Sequence, residues 1–137
     1  MEDLPRTCLG NCSAEILELL TADPSLTVCF DTNHLLGEPI ADFVRAVGKK
    51  IETLHVSDYD FCNERHWLPY EGKVNWVELV EALEEVGYNG VWMYEIGFKA
   101  SKNIDRDRDL NFDDFKEIPE QTKLHTMVAL LLTDSGG

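Results

Sequence analysis

The 137 residues suffice for one compact domain built on one core, and their 44% hydrophobic content is ordinary for a globular chain. The 26 acidic against 12 basic side chains give a formal charge of −14, a field that repels phosphate backbones and anionic membrane surfaces; no nucleic acid and no membrane partner is expected. No apolar stretch approaches the roughly 20 residues of a spanning helix, and the start lacks the basic-then-apolar layout of a signal peptide, so a cytoplasmic location is expected.

In chain order, Ser13 to Thr21 reads as a helix with an apolar face of Ile16, Leu17, Leu19 and Leu20. After the Pro24-Ser25 turn signal, Leu26 to Phe30 reads as a short strand buried on both faces, and Cys29 within it as a small hydrophobe. Ile40 to Val47 is helix-like and Ile51 to Val56 is strand-like. Trp76 to Val86 is a helix with Val77, Leu79, Val80 and Leu83 inward, Asn75 as its N-cap and Gly87 as its stop. Gly90 to Ile96 is the third strand. Asn111 to Leu132 reads as a closing helix broken near Pro119, with no strand after it, and Ser101 to Asp109 as a charged turn. Strands of buried type alternating with amphipathic helices predict right-handed βαβ units, a parallel sheet and functional groups just after each strand.

Two decoys fall away on chemistry. Cys8 and Cys12 form a single C-x3-C with no second pair nearby, too little for a zinc finger. Asp105, Asp107 and Asp109 begin like a calcium loop, but Leu110 stands where the turn needs glycine and Lys116 where the bidentate glutamate belongs.

The strand ends carry the informative residues: Asp31 with His34 after the first, His55 with Asp58 after the second, Glu95 in the third. Each alone has a bland reading as a cap or a core group. Adjacent parallel strands stand about 4.8 Å apart, however, so side chains at successive ends meet in one cluster. Carboxylates mixed with imidazole suit manganese, zinc, iron or cobalt, where all-oxygen sites favour magnesium and calcium.

Asp31-Thr-Asn-His34, Leu54-His55-Val-Ser-Asp58, Glu64-Arg65-His66, Glu71-Gly72-Lys-Val-Asn-Trp76, Gly87-Tyr-Asn-Gly90 and Tyr94-Glu95-Ile96 resemble, in this order, the signatures of the xylose-isomerase-like TIM-barrel superfamily. The opening Met1-Glu2-Asp-Leu-Pro5 resembles that superfamily's fifth strand end. The resemblance implies an α/β fold, a partial (half) TIM barrel with residues 1–137 as a single domain corresponding to the C-terminal half. The fifth strand is a stub, and four further βα units would be needed for a barrel of roughly 250 residues.

The resemblance further implies a divalent metal (manganese, cobalt, zinc or magnesium) held by Glu2, Asp31, His55 and Glu95. Glu2 and Glu95 would be the catalytic pair that moves a proton in a small sugar, sugar phosphate or polyol, through an enediolate. His34, Arg65, His66 and Trp67 would bind substrate, although Arg65 and His66 read equally as a solvated loop pair; Trp76 and Trp92 read as core. Alternatives from other classes are an inactive half-barrel that serves as a structural module, an inosose-type dehydratase, and a metal hydrolase like the apurinic endonuclease, to which Glu64-x-His66 gives some support. A half-barrel leaves sheet edges and apolar interior residues open, so a homo-oligomer or pairing with a missing N-terminal half is expected.

Overall fold

A computed structural model describes residues 1–97 and 128–133 of the chain. The elements run α1 (Ser13–Leu20), β1 (Val28–Asp31), α2 (Ile40–Val47), a 3-10 turn (Gly48–Lys50), β2 (Ile51–Val56), α3 (Trp76–Glu85), β3 (Trp92–Gly97) and β4 (Val128–Thr133). All four strands are parallel in the order β1-β2-β3-β4, and a one-residue bridge from Glu2 to Cys29 extends the sheet beyond β1. This is the α/β arrangement of an open, partial barrel.

The helices form for local reasons. Asn75 accepts a hydrogen bond from the Glu78 amide, the N-cap expected of α3, and Gly87 follows with φ at +73°, a left-handed position that ends a helix. α1 has no side-chain cap of its own; instead Glu38 takes both the amide and the hydroxyl of Ser13, tying α1 to the loop before α2. Only Ile16 and Leu20 of the α1 apolar set are buried, because an 8-residue helix turns one i,i+4 pair inward, and Leu17 is left outside. In α3 the inward face is Trp76, Leu79, Ala82 and Leu83, with Val77 exposed, so the apolar stripe is rotated from the expected one.

One core lies between these helices and one face of the sheet. Val28 and Phe30 of β1, Leu54 and Val56 of β2, and Trp92, Tyr94 and Ile96 of β3 are buried there with Phe43, Val44 and Leu79. Phe30 stacks on Phe43 with ring centroids 4.7 Å apart. Trp76 and Trp92 belong to this core, as expected.

The opposite sheet face carries Glu2, Cys29, Asp31, Thr53, His55, Met93 and Glu95, most of them partly exposed. It is largely polar, where an apolar barrel interior was expected. Cys29 lies on this face and is only half-buried, which corrects its reading as a core thiol. A register shift between Val28 and Cys29 sets its geometry: an unshifted ladder from Val28–Ile51 would bring Leu54 opposite Asp31, whereas the shift brings His55 there.

The closing helix is corrected at its end. Val128–Thr133 pairs with β3 along its whole length as a parallel strand, because a six-residue run of Val, Ala, Leu and Thr satisfies a sheet edge as readily as a helix face. The rest of that expected helix, residues 111–127, and the charged turn 101–109 lie outside the described residues.

Candidate metal centre

Glu2, Asp31, His55 and Glu95 converge. One potential ligand atom from each lies within 4.8 Å of the others. His55 Nδ1 is 3.0 Å from Glu95 Oε2, 3.2 Å from Glu2 Oε1 and 3.9 Å from Asp31 Oδ2. The sheet places them: Asp31 and His55 are register partners, Glu95 lies two residues beyond Met93, the partner of His55, and Glu2 bridges to Cys29, two residues before Asp31. Side chains two apart on a strand share a face, so three adjacent strands and the Glu2 bridge deliver four groups to one spot.

The electrostatics are those of a site short of positive charge. A single ring nitrogen offers at most one proton, yet three carboxylates face it. Asp31 has no exposed surface; its Oδ1 accepts from the Asn33 amide, while Oδ2 is buried without a hydrogen bond. Burial, aided by the neighbouring Glu95 charge, holds the Asp31 carboxyl well above the usual carboxylate range. Hydrogen bonding to Cys29 and to Glu95 pushes His55 up to about 11, and the His55 hydrogen bond in turn lowers Glu95. A bound cation would neutralise the same oxygens. Donors around a tetrahedral ion at about 2.0–2.2 Å stand about 3.3–3.6 Å apart, so the observed spacings fit a divalent ion of borderline softness with little side-chain motion.

The surrounding residues are arranged about this cluster. His34 Nδ1 donates to the Asp3 carbonyl at 2.8 Å, which leaves Nε2 facing Asp31 Oδ2 at 3.7 Å. His66, in a left-handed conformation at φ +50°, donates from Nδ1 to the Glu95 carbonyl at 3.2 Å and so sits beside the cluster. Arg65 is paired with Asp60 at 2.8 Å, and its guanidinium lies 5.6 Å from the Trp67 ring centre. Trp67 is 8% exposed beneath it, with backbone hydrogen bonds to Asp58 in both directions. Glu64 pairs with Arg6 at 2.8 Å.

Residues 1–114 match the family described as "Xylose isomerase-like TIM barrel". The chain belongs to the xylose isomerase-like TIM-barrel family. Within it, an uncharacterized protein of Methanocaldococcus jannaschii is 33% identical over 76% of this chain and 36% of its own. A D-psicose 3-epimerase of Ruminiclostridium cellulolyticum is 32% identical over 64% of this chain and 30% of that one. A solved D-tagatose 3-epimerase-like protein superposes with a TM-score of 0.62 at 28% identity, covering 74% of this chain and 40% of that chain. The chain therefore spans about a quarter to a third of the length of the curated relatives it matches.

Two residues near the four-residue cluster escaped the sequence reading. Asp3 is fully buried; its Oδ1 accepts from the Asp31 amide at 2.7 Å, and its carbonyl holds His34. Burial pushes the Asp3 carboxyl up to about 8. Cys29 forms a further donor set with Glu2 and His55. The spacing of two between Cys29 and Asp31 was the available signal, since that spacing puts both on one strand face.

Proposed function

We propose that this chain carries the metal-binding half of an isomerase or epimerase acting on a small sugar, sugar phosphate or polyol. The carrying observation is the meeting of three carboxylates and one imidazole at adjacent parallel strand ends, with a buried Asp31 oxygen that has no hydrogen bond. Among family members, the similar D-psicose 3-epimerase and D-tagatose 3-epimerase-like proteins point to sugars as the substrate class.

In this reading Glu2, Asp31, His55 and Glu95 hold a divalent ion, manganese, cobalt, zinc or magnesium. When bound, such an ion polarises the carbonyl of a hydroxyketone and makes the adjacent C–H more acidic. Glu2 and Glu95 then do the proton work: one carboxylate takes the α-proton, leaving an enediolate, and the other returns a proton. Asp31, desolvated and pinned at its amide by Asp3, holds its place throughout. His34, with Nδ1 committed to Asp3, presents Nε2 to a substrate hydroxyl; in this reading Arg65 and His66 bind further substrate oxygens, with Trp67 packed beneath Arg65.

Calorimetry with manganese or cobalt tests the site: binding tighter than about 1 mM is expected, and none would overturn it. Deuterium entry beside the carbonyl of a ketose incubated in D2O with the metal-loaded protein tests the chemistry. The polar sheet face, left partly open by the described residues, favours a second requirement, that activity needs a complementary half-barrel from another copy or from a longer chain. Light scattering of the purified chain checks the first source, because a monomer active in the exchange assay would remove the requirement.

A further inference from the structure

The sulfur of Cys29, a Glu2 oxygen and a His55 ring nitrogen form a second donor set, again within 4.8 Å of one another. It shares Glu2 and His55 with the four-residue cluster, and Cys29 replaces Asp31 and Glu95 in it. Thiolate and imidazole around a tetrahedral ion at about 2.0–2.3 Å stand about 3.5 Å apart, so closing this set requires only small rotations. A second observation points to a cation at the His55 ring that both sets share: Asp31 Oδ2 of the four-residue cluster, in a side chain with no exposed surface, makes no hydrogen bond and faces His55 Nδ1 at 3.9 Å. Cys8, Cys12 and Cys62 join no such set among the described residues.

We propose that Cys29 is a soft donor to the ion held by Glu2 and His55, and that it biases the site toward thiophilic divalent ions such as zinc and cobalt over manganese and magnesium. The inference rests on the metal reading above. Thiolate prefers softer ions, whereas carboxylates alone leave manganese and magnesium competitive. In the ligation the Cys29 S–H bond breaks and its proton passes to solvent, a sulfur–metal bond forms, and a water leaves the ion; no electrons change hands.

The test is a titration of cobalt(II) into the purified chain, followed by visible and near-ultraviolet absorption, with zinc affinity measured by competition. The chain should show cobalt ligand-field bands together with a near-ultraviolet sulfur-to-cobalt charge-transfer band. Cys29→Ser should keep the ligand-field bands, lose the charge-transfer band and bind zinc about tenfold or more weakly, with manganese affinity unchanged. A variant with Cys8, Cys12 and Cys62 all changed to serine should retain the band, which keeps the inference testable if Cys29→Ser fails to fold. Ligand-field bands without a charge-transfer band, or a band that survives Cys29→Ser, would overturn the role of Cys29 and leave the four-residue site standing. Failure to bind cobalt at all would overturn both.

Discussion

The loop from Ser57 to Asn75 hangs on one buried carboxylate, so replacing Asp58 should unfold far more than its own contacts. Asp58 Oδ1 accepts from the Tyr59 amide at 2.8 Å and the Val74 amide at 3.1 Å, and Oδ2 from Trp76 Nε1 at 3.0 Å. Asp58→Ala strands three donors, each costing about 1–3 kcal/mol if left buried and unpaired; after partial relaxation the loss should be about 3–5 kcal/mol. With a urea slope of roughly 2 kcal/mol per molar, the unfolding midpoint should fall by about 2 M. Asp58→Asn offers one acceptor oxygen in place of two, so it must surrender either Trp76 or the amide pair, at about 1–3 kcal/mol. Urea unfolding followed by tryptophan fluorescence reads both, and adding Trp76→Phe closes a double-mutant cycle in which Asp58 and Trp76 should couple by at least about 0.5 kcal/mol. An Asp58→Ala loss below about 1 kcal/mol, or zero coupling, would refute the idea that this carboxylate pins the loop that carries Arg65, His66 and Trp67.

Gly72→Ala should destabilise by about 1–3 kcal/mol in the same assay, because a Cβ there would lie 2.7 Å from the Asp58 carboxylate carbon, which its hydrogen bonds prevent from moving. Phe43→Ala, at a fully buried ring stacked on Phe30, should cost about 3–5 kcal/mol by the same measurement. Manganese or cobalt at about 100 times its dissociation constant should add about 2.7 kcal/mol, seen as a rise in Tm of roughly 8–12 °C that a chelator reverses. Glu95→Gln should abolish most of that rise, measured against the variant's own metal-free Tm because the change also removes the 3.0 Å pair with His55.

The fold was legible where periodicity and punctuation agreed. Asn75, the Trp76–Glu85 stripe and Gly87 mark α3 within a residue or two, and Asp31, His55 and Glu95 announce themselves by their position at strand ends. Val128–Thr133 was not legible, because a short apolar run carries no period that separates a helix from a strand; only the pairing partner β3 decides it. The register shift beside Cys29 was equally silent, although one unpaired residue decides whether His55 or Leu54 stands opposite Asp31. Asp3 was hidden for another reason: a buried carboxylate that organises its neighbours looks, in sequence, like any surface aspartate.

The placement of the metal-type cluster depends on the helix-covered side of the sheet, not on its own side. Val28 and Phe30, Leu54 and Val56, and Trp92, Tyr94 and Ile96 fix the height and roll of β1, β2 and β3 from beneath. Alternation then delivers Asp31, His55 and Glu95 upward whether or not a barrel closes around them. Glu2 is seated by backbone bonds, Cys29 donating to the Met1 carbonyl at 2.7 Å and Asp3 to the Cys29 carbonyl at 3.4 Å, and by the contact of its own carboxylate with His55 at 3.2 Å. The four groups are therefore positioned by contacts local to this chain, whereas the described residues bury only Asp31 and leave Glu2, His55 and Glu95 partly open to water. On this division of labour, ion binding should survive in the isolated chain even where proton transfer does not, because a metal tolerates a wet site and an enediolate needs a dry one.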